Sequence, residues 1–118
     1  MTTPTPSLNL LKGTLDVLLL KTLSAGPLHG YAVSRQIRET TGDALQVEEG
    51  ALYPALRRLE QRGFLRSSWG LTEHQREARF YELTEAGRRE LETGVRDWQR
   101  YVEAMSRVLL PAAPARRK

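Results

Sequence analysis

Between Glu48 and Leu65 the chain reads EEGALYPALRRLEQRGFL, and no other stretch narrows the fold as much. Gly50 stands at its start and Gly63 just past its end, and glycine is the usual residue where a helix terminates in a left-handed conformation. The spacing predicts a helix over 51–62. At 100° per residue, Leu52, Ala55, Leu56 and Leu59 share one face, which is a core stripe. Tyr53, Pro54, Arg57, Arg58 and Gln61 share the opposite face. Pro54 is expected in the first turn, where few amides have an intrahelical acceptor. The helix therefore has an apolar back and a basic, aromatic front. That front is either ordinary solvated surface or a recognition face, on which Arg pairs with guanine edges and neighbouring donors hold phosphate. The flanking segments favour the second reading.

Beyond Gly63 the apolar period changes from 3.6 to about 2. Residues 64–71 and 78–83 read as strands, with a polar loop over 72–77 between them. A hairpin directly after a recognition helix makes a wing. It gives Arg76 and Arg79 a contact with the nucleic-acid backbone or minor groove. Glu73 and Glu77 weigh against strong binding by the tip. The hairpin's inner residues close the core beneath the helices in either case.

Upstream, residues 1–7 alternate Pro and Thr without apolar content and read as a flexible tail. A helix is expected over 8–23. Leu11, Leu15, Leu18, Leu19 and Leu23 form its main apolar face, with Val17 and Leu20 on the other side. A helix apolar on two sides buries two sides, and in so small a chain the second partner is expected to be another subunit. Ser24-Ala25-Gly26-Pro27 breaks this helix. A second helix is expected over 30–40, with Tyr31, Val33 and Ile37 inward and Arg35 and Arg38 outward. Gly30 near its beginning permits close approach of another segment. His29 is expected to pack or hydrogen-bond where that helix begins; with one other histidine, His74, and no neighbouring acid or Cys, a role in metal binding or as a base has little support. Residues 41–43 form a turn, and 44–48 an extended link with Leu45 and Val47 inward. Two helices, a link and a third helix with a basic face make the helix-turn-helix order.

Thr84 caps a last helix running to 110, because Thr is a good N-cap and Glu85 suits the first turn. Leu91, Trp98 and Met105 recur every seven residues, and Val95, Val102 and Leu109 recur every seven between them. That is an a/d seam. Five Arg balance five acids over residues 84–110. The seam either folds back on its own domain or pairs with a second copy, and pairing is favoured because the first helix also has an unsatisfied face. The expected interface comprises Val17, Leu20, Leu91, Val95, Trp98, Val102, Met105 and Leu109. Trp98 is bulky for a tight two-helix seam. With Tyr101 and Met105 nearby, it is either an interface anchor or one wall of a site for a flat aromatic effector.

Composition sets the remaining limits. A chain of 118 residues makes one small domain. Its net charge of +4 is unevenly placed: −1 over residues 1–49, +3 over 50–71, −1 over 72–83, 0 over 84–110 and +3 over 111–118. The excess on the central helix and its exit strand points to a phosphate-bearing partner; the excess in the tail reads as a solubilising end. The absence of Cys excludes a disulfide framework and a thiolate metal site, and suits a reducing cytoplasm. MTTPTPS has no basic n-region, so no signal peptide is expected. The longest apolar run, residues 17–20, is too short to span a bilayer. With no phosphate loop, no carboxylate pair beside a nucleophile and no metal-ligand cluster, neither an enzyme nor a cofactor is expected.

Four strings, LLKGTLDVLLLKTL, GPLHGYAV, EEGALYPALRRLEQRGFL and RFYELTEAG, follow one another over residues 10–87. In their order and spacing the chain resembles the PadR family of winged-helix transcriptional regulators. Its single C-terminal helix is similar to the compact subgroup. Its wing, WGLTEHQREARFY, resembles an acidobacterial-type set rather than the more widespread wing rich in Gly, Pro and basic residues. The expected fold is mainly α with a small β-hairpin: a winged helix-turn-helix over 8–83, a dimerisation helix over 84–110 and a basic tail over 111–118. The resemblance implies a cytoplasmic homodimer that binds double-stranded DNA at a pseudo-palindromic operator and usually represses. Tyr53, Pro54 and Arg57 match the recognition-helix positions. A small hydrophobic or aromatic effector that releases many members from DNA is implied as well, and no cofactor. Two alternatives from other classes stand beside this reading: a winged helix used only for protein contacts, and a small-molecule sensor without DNA binding.

Overall fold

The computed structural model describes residues 13–110. The chain runs α1 (Leu15–Thr22), a 3-10 turn (Leu23–Ala25), β1 (Leu28–His29), α2 (Gly30–Thr40), α3 (Glu49–Gln61), β2 (Leu65–Leu71), β3 (Glu77–Leu83) and α4 (Glu85–Leu109). The tails expected over 1–7 and 111–118, and the expected core residue Leu11, lie outside the described residues.

The apolar back of α3 organises the core. Leu52, Ala55, Leu56 and Leu59 are buried and pack with Leu19, Leu20 and Leu23 of the first helical segment, Val33 and Ile37 of α2, and Leu65, Tyr81 and Leu83 of the sheet. After α3 the chain reverses through Gly63 at φ 85°. The amides of Gly63 and Phe64 close on the carbonyls of Glu60 and Leu59, each at 3.0 Å. Glycine adopts that left-handed backbone without the steric penalty of a side chain. The result is a winged helix: three helices around one core, closed by a small antiparallel sheet.

The sheet has three strands in the order β1-β3-β2, one more than the expected hairpin. β2 and β3 pair from Leu65↔Leu83 at the base to Leu71↔Glu77 at the tip, and the two residues of β1 pair Leu28↔Tyr81 and His29↔Phe80.

Four expectations are corrected. α1 begins at Leu15, behind Gly13 at φ 89°, rather than running unbroken from residue 8; a left-handed residue interrupts a right-handed helix. α3 begins at Glu49, because the amides of Ala51 and Leu52 both reach the Glu48 carbonyl at 3.0 and 2.9 Å. Pro54 thus stands in the second turn, and the Gly50 carbonyl lacks the amide it would receive from a residue other than proline. Tyr31 is 55% exposed, not inward; the buried residues of α2 are Gly30, Ala32, Val33 and Ile37. Leu20 is 2% exposed, since α1 lies against α2, α3 and α4 together. Its side chain belongs to this chain's own core and has no surface left for the expected subunit contact.

The base of α4 is tied into the wing domain by a compact joint. Thr84 Oγ1 accepts from the Gly87 amide at 3.0 Å and donates to the Gly63 carbonyl at 2.7 Å. The Thr84 amide donates to the Phe64 carbonyl at 3.1 Å. Gly87 is forced by space: a β-carbon there would stand 2.1 Å from the Phe64 carbonyl oxygen. Leu91 is buried and Val95 packs at the core margin, while Val17 of α1 lies against Gly94. Beyond Val95 the helix leaves the domain. No helix among the described residues is long and apolar enough to cross a membrane.

Candidate nucleic-acid interface

All five residues expected on the front of α3 are exposed, but they are not equivalent. Tyr53 lays its ring over Gly30 at the start of α2. Arg58 donates from Nη2 to Asp16 Oδ1 of α1 at 2.6 Å, which draws it towards α1 and sets a carboxylate beside its charge. Arg57 and Gln61 have no hydrogen-bond or ion-pair partner among the described residues. The free basic front is thus narrower than the periodicity implies: Arg57, Gln61 and the edge of Tyr53, with Pro54 between them.

The wing extends this front. Period-2 alternation puts Ser67, Trp69, Arg79 and Tyr81 on one face, with Trp69 opposite Arg79. The Arg79 guanidinium lies 4.9 Å from the Trp69 ring centroid. It donates to Ser67 Oγ at 2.7 Å, and Ser67 Oγ donates to Glu60 Oε2 at 2.7 Å. A hydrogen-bonded chain therefore links the wing to the last turn of α3 and fixes their relative orientation. Trp69 is 66% exposed, a large apolar ring held in solvent by its cation. Arg76 is exposed at the turn. There Thr72 Oγ1 accepts from the amides of His74 and Arg76, both at 3.2 Å, and Gln75 takes φ 64°.

Tyr81 forms the floor between α3 and the wing. Burial raises its phenol pKa, and Glu60 adds to this against the opposing pull of Arg79 and Arg57. Burial, and then Glu49, raise the Tyr53 phenol in the same way. Both hydroxyls keep their protons at neutral pH, and a neutral phenol can donate to a phosphate oxygen.

Between the starts of α2 and α3 and the wing turn lies a groove of about 580 Å³. It brings together Arg35, Arg76, Arg79 and both histidines, His29 and His74. Of these, sequence reasoning had marked Arg76 and Arg79. Trp69 was also missed as an exposed residue of the wing and Tyr81 as the buried floor of the groove, although the alternation in ARFYEL already places Tyr81 on the side of Arg79.

The expected interface residues divide into two sets. Leu20 and Leu91 are buried in this chain and Val17 and Val95 are partly covered. Trp98 (47% exposed), Val102, Met105 and Leu109 are exposed along the outer half of α4. Of the expected effector-site residues, Trp98 borders a shallow groove with Val102 and Ser106. Tyr101 and Met105 stand near it on the helix but outside that groove. Among the described residues no three His, Cys, Asp or Glu side chains are arranged to hold a metal ion.

This architecture has known counterparts. A transcriptional regulator from Clostridium thermocellum matches it with a TM-score of 0.75 at 27% identity, over 81% of this chain and 93% of that one. A PadR family transcriptional regulator from Eggerthella lenta gives a TM-score of 0.72 at 29% identity, over 86% of each chain. The negative transcriptional regulator PadR of Bacillus subtilis is 29% identical over 84 residues. That match covers 71% of this chain and 44% of the relative, so the chain spans less than half of that protein's length. The sequence profile of the transcriptional regulator PadR-like family matches residues 19–93, from α1 through the base of α4. With α3, the wing and the Thr84 joint all inside the matched span, the chain belongs to the PadR-like family: it is a DNA-binding transcriptional regulator, not an enzyme.

Proposed function

We propose that this regulator is a homodimeric repressor that sets two copies of α3 into major grooves of a pseudo-palindromic operator, about one turn (~34 Å) apart. The observation that carries this reading is the front of α3, where Arg57 and Gln61 stand free beside Tyr53 while the back of the same helix fills the core. In that placement Arg57 and Gln61 reach base edges. Tyr53, Arg76 and Arg79 hold backbone or minor groove, Pro54 packs against the groove wall, and Arg58, held by Asp16, contributes less. Repression rather than activation is favoured by the Bacillus subtilis relative, which is a negative regulator. The regulator acts in the cytoplasm, without a cofactor.

Dimerisation rests on α4. A second copy covers the exposed stripe of Trp98, Val102, Met105 and Leu109, with Val17 and Val95 at its margin. Trp98 serves first as an anchor of that contact. Its partial exposure beside Tyr101 and Met105 favours a second role, as a wall against which a flat aromatic effector stacks. Such an effector shifts the regulator only by binding one dimer geometry more tightly than another. Trp98 fluorescence in a Trp69→Phe protein reads this directly: compounds that relieve repression quench it saturably, and no quenching by any of them removes the site.

Footprinting on the promoters beside its gene, at graded salt, tests the main reading. A protected pair of half-sites, with affinity falling steeply as salt rises, is the expected result, because phosphate contacts release counterions. No protection and no salt dependence would leave protein contacts or ligand sensing as the function instead.

A further inference from the structure

The wing has no net charge, yet it holds a tryptophan out in solvent. We propose that the wing is an apolar wedge: Trp69, with Leu71 beside it, enters the minor groove against a base step, partly unstacks it and bends the duplex. The proposal rests on the reading that the front of α3 faces DNA. It adds a deformation of the duplex that contact with phosphates does not supply.

Display is the first argument. Trp69 is 66% and Leu71 59% exposed. They stand two residues apart on β2, so they share one face of the sheet. That face also carries Tyr81, the floor between the wing and α3, so the apolar patch lies on the side of the wing that continues into the front of α3. Large apolar groups held together in water mark a contact surface, and this continuity makes DNA its occupant.

Charge is the second. Over residues 65–83, Arg66, Arg76 and Arg79 are balanced by Glu73, Glu77 and Glu82. Arg66 pairs with Glu82 at 3.3 Å, and Arg79 is engaged by Trp69 and Ser67. The remaining Arg76 stands between two acids in sequence. The wing therefore has little electrostatic hold on a phosphate chain, and what it offers is an aromatic ring. Minor-groove proteins that insert apolar side chains between base steps bend DNA in this way.

Stiffness is the third, because a wedge works only if it does not yield. In front, the Arg79 guanidinium lies 4.9 Å from the Trp69 ring centroid and is tied through Ser67 to Glu60 of α3. Behind, Gly70 leaves room for the Phe80 ring, whose Cδ1 lies 2.9 Å from where a β-carbon would stand. Phe80 in turn meets His29 of β1 edge-on, with ring centroids 5.3 Å apart. β1 and Phe80 thus back the wing at the level of Trp69. Such a wedge prefers pyrimidine–purine steps, which unstack easily, and so reads sequence outside the reach of α3.

The test uses two duplexes of about 30 base pairs, one of alternating TA steps and one a stiff A-tract, each labelled at both ends for energy transfer. At low salt, wild type is expected to draw the ends of the TA duplex together and to bind it roughly tenfold tighter than the A-tract. The TA duplex quenches wild-type tryptophan fluorescence saturably, but not that of Trp69→Phe, which retains Trp98. Trp69→Phe keeps the bend, because a phenyl ring still wedges. Trp69→Ala, checked for folding by circular dichroism, binds both duplexes equally and leaves their ends apart. Unchanged end separation with wild type, with or without quenching, overturns the wedge and leaves DNA binding standing, as does a Trp69→Ala protein that bends the duplex as wild type does. Binding to neither duplex overturns the DNA-facing reading as well, and leaves the patch to a protein partner.

Discussion

The ring of Tyr53 lies over the α-carbon of Gly30, so closely that a β-carbon there would stand 2.5 Å from Cε1. The first residue of α2 and the front of α3 are one surface at that point, and Gly30 is needed for space. Because the obstructing atoms are the free end of a half-exposed side chain, Gly30→Ala is expected to change stability by less than about 1 kcal/mol. It displaces the Tyr53 ring and lowers duplex affinity. Thermal melting and anisotropy on the same variant separate the two effects; unchanged affinity would show that the ring's seat does not matter to DNA.

Gly87→Ala is expected to behave oppositely. The new β-carbon meets the Phe64 carbonyl oxygen at 2.1 Å, and backbone cannot swing aside. A loss of roughly 1–3 kcal/mol or more follows from such overpacking. Thr84→Ala removes the cap and costs about 1 kcal/mol. Urea denaturation should rank Gly87→Ala as the more damaging.

Arg57 and Arg58 are neighbours in sequence with different surroundings. Arg57→Ala is expected to weaken operator binding by roughly 1–3 kcal/mol and to relax specificity at one base pair. Arg58→Ala weakens it less, and removes a half-exposed ion pair worth about 0–1 kcal/mol of stability. Asp16→Asn releases Arg58 and is expected to tighten binding to duplex of any sequence. Equal losses for both arginines in a titration would refute the assignment.

Val102 and Leu20 test the two apolar sides of the chain. Val102→Asp puts a charge into the proposed subunit contact, where an unpaired buried charge costs about 3–5 kcal/mol; sedimentation is expected to show a folded monomer. Leu20→Asp puts the same charge into the domain core and is expected to unfold the chain. A wild type that sediments as a monomer at micromolar concentration rules out the dimer.

Local periodicity carries much of this fold. The stripe of Leu52, Ala55, Leu56 and Leu59, the alternation along β2 and β3, and the Thr84 cap are all written in neighbouring residues. What escaped depends on residues far apart in the chain. Leu20 looks like the outer side of a helix until α2, α3 and α4 are seen to enclose α1. Tyr31 looks inward by spacing, yet Ala32 and Val33 take the core. β1 is too short to show any period. On the site, the types and face of Arg57, Gln61 and Tyr53 were legible, but the Asp16–Arg58 pair and the edge-on packing of His29 on Phe80 are tertiary events that no local pattern encodes.

The Thr84–Gly87 joint has a mechanical consequence. α4 is fixed to its domain as far as Val95, and the remaining residues to Leu109 form a free arm of about 20 Å at 1.5 Å per residue. Such an arm is a lever: a swing of about 10° at its base carries the tip by roughly 3–4 Å. In the proposed dimer the tips are joined, so the same swing drives the two heads apart or together. The operator spacing that the protein tolerates is then a property of one fulcrum, and it drifts with substitutions there that touch neither DNA nor the partner.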